Sequence, residues 1–169
     1  NPYLLSITAL NKDTLELASK DLKTILKLNP YDDENLHNLA WVYFALGHHK
    51  TAQDLLTRAI KLDPYNSTYH ISQVLFDLKQ NNNSELKNHL AKAFRYSPEV
   101  LESIFYKEFS KKYPRLAKES KAIAISGLQT EIKANNNTIL KARLARLLLE
   151  ENPKKAKQIL DEVTTSLPN

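Results

Sequence analysis

The sequence predicts an all-α fold of antiparallel helix pairs repeated along the chain, about ten helices in all. Three observations carry that prediction. Pro30, Pro64 and Pro98 stand 34 and 34 residues apart, each behind an amphipathic run. Within those runs apolar residues recur at i, i+3, i+4 and i+7, the spacing of one helix face. Of the 169 residues only two are Gly, and no stretch alternates apolar and polar positions with β-branched enrichment.

Residues 1–32 fit a pair that lacks the start of its first helix, with Leu4, Leu5, Ala9 and Leu10 as the remnant. Ala18, Leu22, Ile25, Leu26 and Leu28 form the second stripe, ending at Asn29-Pro30, and Asp13 is placed to cap a helix starting at Thr14. The next unit, 33–66, is the best formed. Leu36, Leu39, Ala40 and Tyr43 share one face, Gly47 stops the helix, and Ala52, Leu55, Leu56, Ala59, Ile60 and Leu62 make the second stripe. Ala40, Ala52 and Ala59 keep the two helices close, and Pro64 ends the pair because its ring and missing N–H cannot continue a helix.

In 67–98 the first stripe (Ile71, Val74, Leu75, Leu78) runs one residue late against the 34-residue register, and the Asn-rich turn 81–84 is expected to absorb the slip. Leu86, Leu90, Ala93, Phe94 and Tyr96 make the second stripe. Residues 99–136 are degenerate: a short helix near Leu101, Ile104, Phe105 and Phe109, a break at Tyr113-Pro114, then a long helix opened by Pro114 and closed at Asn135-Asn136-Asn137. The last unit, 137–169, places Leu140, Leu144, Leu147 and Leu148 before the Asn152-Pro153 turn, and Ala156, Ile159, Leu160, Val163 and Leu167 after it. The whole is read as one domain. With no initial Met, no Met anywhere and an end that reads as a repeat terminus, the chain is expected to be a piece of a longer protein.

Composition narrows the function classes. There is no Cys, hence no disulfide, thiolate nucleophile or thiolate metal site. Net charge is +5 with both signs interspersed, a solvated surface with a mild basic bias. No apolar run reaches the ~18 residues of a membrane span. Phosphate loops, nucleophile elbows and metalloprotease His pairs are missing, so no enzyme, no catalytic residue and no cofactor is expected. His48-His49 lies in a turn without a third ligand, which argues against a metal. The basic groups at Lys111-Lys112, Arg143 with Arg146, and Lys154-Lys155 fall on separate helices beside acidic residues, which argues against nucleic acid.

The unit at 33–66 resembles the tetratricopeptide repeat. Leu39, Ala40, Tyr43, Gly47, Ala52, Ala59 and Pro64 fall on that family's pattern of Leu, small residue, Tyr, Gly, Ala, Ala and Pro. Two positions depart from it: Leu36 stands where the first-helix Trp is usual, and His49 where an aromatic is usual. The resemblance implies a right-handed superhelix that acts as a protein–protein interaction scaffold and holds a peptide or partner segment on its concave side. In proteins of that kind the first helix of each pair lines the concave wall. Carried over residue by residue, this gives Glu34, His37, Trp41, Phe44 and Ala45, then Ser72, Phe76 and Lys79, then Ser103, Lys107 and Lys111, then Lys141, Ala145 and Leu148.

Of these, His37, Trp41, Phe44, Phe76, Lys79, Lys107 and Lys141 are the expected partner-binding residues: aromatic in the first half, basic in the second. Such a wall suits a partner with apolar anchors and some acidic character. Trp41 occupies a place where carboxylate-clamp relatives use Asn, so that clamp is not expected. The alternative is that Trp41, Phe44 and Phe76 pack between neighbouring repeats. A looser resemblance, through Asn29-Pro30-Tyr31-Asp32 and the run from Ser97 to Phe105, is to the tetratricopeptide tails of bacterial O-antigen ligase or polymerase-like membrane proteins. It implies a structural or dimerisation role, with membrane attachment through parts outside this chain, and leaves the cytoplasmic and periplasmic sides both open.

Overall fold

The computed structural model describes residues 10–82 and 85–165. Leu4, Leu5 and Ala9, the turn residues Asn83-Ser84, and Leu167 with Pro168 lie outside the described residues. Among the described residues all regular structure is helical: nine α-helices and one 3-10 helix. The fold is all-α, as the apolar periodicity predicts. The chain divides into two compact units, Asn1–Asn83 and Ser84–Asn169.

The first unit holds α1 (Lys12–Leu28), α2 (Asp33–Ala45), α3 (His49–Leu62) and α4 (Ser67–Lys79), each packed on the next. Asn11 caps α1, its Oδ1 accepting the N–H of Thr14 at 2.9 Å. The expected cap, Asp13, lies within the first turn, where its charge complements the helix N-terminus. Asn11 takes the role because the helix begins two residues earlier than the apolar stripe indicates. The α2–α3 pair is held by Leu36, Ala40, Ala52, Leu56 and Ala59, all without exposed surface. The alanines matter by their size: a larger side chain at a fully packed position costs about 1–3 kcal/mol.

The 34-residue period is carried by the backbone. Helices α2 and α4 begin at Asp33 and Ser67 and end at Ala45 and Lys79. Asp32 and Asn66 cap them through side-chain oxygens. The expected slip of α4 is therefore corrected, since the helix keeps the 34-residue register at both of its ends. The positions 34 residues after Leu36, Leu39, Ala40 and Tyr43 are His70, Gln73, Val74 and Asp77, and all four are buried.

Three of those four are polar, and each finds a partner. Gln53 and Gln73 exchange amide hydrogen bonds at 2.6 and 2.9 Å, tying α3 to α4. Gln73 also donates to Asp77 Oδ1 at 3.0 Å, and Asn82 donates to the same oxygen at 3.3 Å. His70 Nε2 donates to the carbonyl of Pro64 at 2.9 Å. A buried polar group with its hydrogen bonds made carries no large desolvation penalty, so a polar stripe can occupy an apolar one's place.

The second unit holds α5 (Leu86–Tyr96), the 3-10 turn Pro98–Glu102, α6 (Ile104–Lys112), α7 (Pro114–Asn135), α8 (Thr138–Leu148) and α9 (Pro153–Thr165). Helix α7 packs on α5, α6 and α8, and α9 packs on α8. Pro114 sits in the first turn of α7, where a missing N–H is no loss, and left-handed Asn136 (φ 33°) closes that helix. Leu86, Leu90, Ala93, Phe94, Leu128, Ala145 and Leu147 are fully buried. Gly127 leaves room for the Arg95 side chain, 3.1 Å from where a Cβ would stand, as Arg95 reaches Glu131.

Candidate functional site

In the first unit the leading helices α2 and α4 face each other through the residues expected to line a groove. Trp41 is 4% exposed, Phe44 9%, Phe76 0% and His37 7%. Phe44 and Phe76 stack with centroids 4.0 Å apart and planes 4° from parallel, and Trp41 stands edge-on to Phe76 at 4.8 Å. The indole N–H of Trp41 donates to Ser72 Oγ at 3.0 Å and lies 3.2 Å from His37 Nε2. Ser72 Oγ is 2.8 Å from that same His37 nitrogen.

The indole N–H is shared between Ser72 Oγ and His37 Nε2, and the Ser72 hydroxyl, with one proton and two lone pairs, donates to or accepts from His37 according to the imidazole tautomer. Burial drives the His37 pKa down to about 4, only partly opposed by Asp33. On the same wall the Tyr69 hydroxyl donates to Asp33 Oδ2 at 2.7 Å, and burial followed by that carboxylate raises the Tyr69 pKa. The structure thus brings His37, Trp41, Phe44 and Phe76 together as a wall packed on itself. The aromatic lining expected of a groove is corrected to core, because α4 supplies both a ring to stack on and a hydroxyl for the indole. Lys79 is exposed at the end of α4, and Glu34 is exposed at the start of α2.

In the second unit Lys107 is exposed on α6, whereas Lys141 is half-buried, its ammonium 3.8 Å from Glu162 Oε2 on α9. Ala145 and Leu148 are buried. A cleft of about 380 Å³ opens beside them on a different face of α8. Its floor is Ile139, Ala142, Arg143, Arg146 and Leu149, with Leu160 of α9 on one side and Pro98 and Glu99 of the 3-10 turn on the other. Ile139, Leu149 and Leu160 are 61, 49 and 38% exposed, an apolar surface open to solvent.

The charges of this cleft are unevenly satisfied. Arg146 pairs with Glu102, while its Nε lies 4.0 Å from Glu99 and is a buried donor without an acceptor. Glu99 is held by its own backbone N–H and by the Ser97 hydroxyl at 2.8 Å, which with the two arginines keep its carboxyl below the ordinary range. Arg143 makes no ion pair among the described residues. Sequence reasoning missed this face. Its signal is the spacing 139, 142, 143, 146, 149, a helix stripe of mixed apolar and Arg character turned away from the leucine stripe.

Comparison with known proteins gives one family: a tetratricopeptide repeat model matches residues 33–66. No curated protein matches the chain.

Proposed function

Residues 33–66 being a tetratricopeptide repeat, a unit that serves generally as a non-enzymatic scaffold for protein interaction, we infer that this chain binds a peptide or partner segment on its leading helices. The observation that carries the reading is the repeat itself, a hairpin whose positions fall on the family pattern and whose wall is already ordered by Trp41, Ser72 and Phe76. An ordered wall lowers the entropy cost of binding, because the helices that carry the contacting residues need not be fixed at that moment. With the aromatics turned inward, the contacting positions are the polar ones beside them: Glu34 and Lys79 in the first unit, Lys107 and Lys141 in the second. The test is selection of random peptides displayed on phage against the folded chain. Peptides joining large apolar residues with Asp or Glu are the expected outcome, with Lys79→Glu or Lys107→Glu weakening them. No enrichment over the urea-unfolded chain overturns the reading.

A second reading, self-association, is favoured by one observation. Leu17, Ile25 and Leu28 share a face of α1 and are 61, 41 and 86% exposed. That face offers a second copy an apolar helix surface.

A further inference from the structure

We propose that the cleft between the 3-10 turn Pro98–Glu102 and helices α8 and α9 binds a peptide segment in which an Asp or Glu side chain is flanked by large aliphatic residues. This deepens the scaffold reading and rests on it. The argument is one of complementarity. Ile139, Leu149 and Leu160 are the cleft's exposed apolar walls, and a volume of about 380 Å³ matches one or two aliphatic side chains together with a carboxylate. Between those walls stands Arg143, a guanidinium with five N–H donors and no ion-pair partner among the described residues.

The neighbouring charges set the sign of what the cleft takes. Glu102 occupies Arg146, and Ser97 holds Glu99. Glu102 is thus taken by Arg146, and Glu99, which feels the Arg143 charge from the same cleft, makes no ion pair with it, so the Arg143 donors are left for a ligand carboxylate to meet by a paired, charge-assisted hydrogen bond. A cationic ligand would meet two arginines, and a purely apolar one would bury the Arg143 charge unpaired. An acidic side chain between aliphatic neighbours avoids both penalties. Arg143 acts as the specificity-determining cation, and the apolar walls supply the area.

The probe is a dodecapeptide with blocked ends and the core Leu-Glu-Leu-Leu in a Ser/Gly context, titrated into the isotope-labelled chain and followed by amide NMR shifts. Saturable shifts centred on Ile139, Arg143, Leu149 and Glu99 are expected. Replacing the probe's Glu by Gln weakens binding about ten-fold, as does Arg143→Gln, and the two changes together cost no more than either alone. Arg143→Lys, which keeps the charge and loses the paired donors, binds more weakly than wild type and more tightly than Arg143→Gln, and Lys154→Gln, outside the cleft, retains all of the affinity. The proposal is overturned by shifts that map elsewhere, by no saturation at millimolar probe, or by Arg143→Gln binding as wild type with its amide spectrum intact. If displayed peptides are enriched and bind Arg143→Gln undiminished, the cleft fails while the scaffold reading stands; if none is enriched and the probe does not bind, both fail.

Discussion

His37 exchanges basicity for position. Its imidazole is neutral inside the wall, with a pKa of about 4 against 6.5 for the exposed ring. At pH 7 the folded ring is neutral and the unfolded ring mostly so, and the fold has nearly its full stability. As pH falls through 6.5 the unfolded chain takes up the proton first, so stability drains until the folded ring titrates near pH 4. The total loss is about 3 kcal/mol. Urea midpoints at pH 7 and 4.5 should show most of it, and His37→Gln should flatten that interval, since carboxylates act mainly below it. An imidazole titrating near 6.5 by NMR would contradict the buried, neutral ring. Trp41 and Phe76 belong to the same wall: Trp41→Ala or Phe76→Ala should each cost about 3–5 kcal/mol of unfolding free energy. Trp41→Phe should lose roughly 1 kcal/mol for the indole donor alone, beyond any change in packing. Denaturation midpoints indistinguishable from wild type would return these rings to the surface.

At the scale of the element, the ends of α2 and α4 repeat one device with different residues. Gly47 (φ 84°) follows α2, its N–H bonded to the Phe44 carbonyl while the N–H of His48 reaches Tyr43. Asn81 (φ 57°) follows α4, bonded to Leu78, with Asn82 reaching Asp77. Both are left-handed closures that satisfy the last carbonyls of a helix, and they stand 34 residues apart. A Cβ at Gly47 would touch nothing within 4 Å, so only the backbone conformation resists one. Gly47→Ala should therefore cost about 1 kcal/mol, and Gly47→Asn less. The reverse change, Asn81→Gly, should gain about half a kcal/mol by relieving the same strain. Thermal melts of the three variants decide it; if Gly47→Ala melts with wild type, the left-handed closure is not what ends α2.

For the whole molecule the testable property is association. On the self-association reading, the exposed face of α1, with Leu17 and Leu28 most open to solvent, is where two chains would pair. Sedimentation equilibrium should find a concentration-dependent dimer that Leu17→Glu or Leu28→Glu returns to monomer. A monomer at all concentrations leaves the scaffold reading without its self-associating rival. The match to the tetratricopeptide repeat covers residues 33–66, and further helices lie on either side of it. Their roles are accordingly argued from packing and charge.

Helix positions, the 34-residue period and the close-packed alanines were legible because each depends on short-range chemistry: apolar spacing, proline, and turn residues at fixed offsets. Burial of Gln73 and Lys121 was not legible, since each becomes a core residue only through a distant partner, Gln53 for Gln73 and Glu151, 3.3 Å away, for Lys121. The same limit left the inward turn of Trp41 as one of two alternatives, because it depends on Ser72 31 residues away. It also hid the cleft beside Arg143, whose neighbour Arg146 pairs with Glu102 across 44 residues. Local backbone preferences write the helices and their ends into the sequence. Which faces close on one another, and which cation is left without a carboxylate, is decided only when the helices meet, because those energies belong to pairs of residues far apart in the chain.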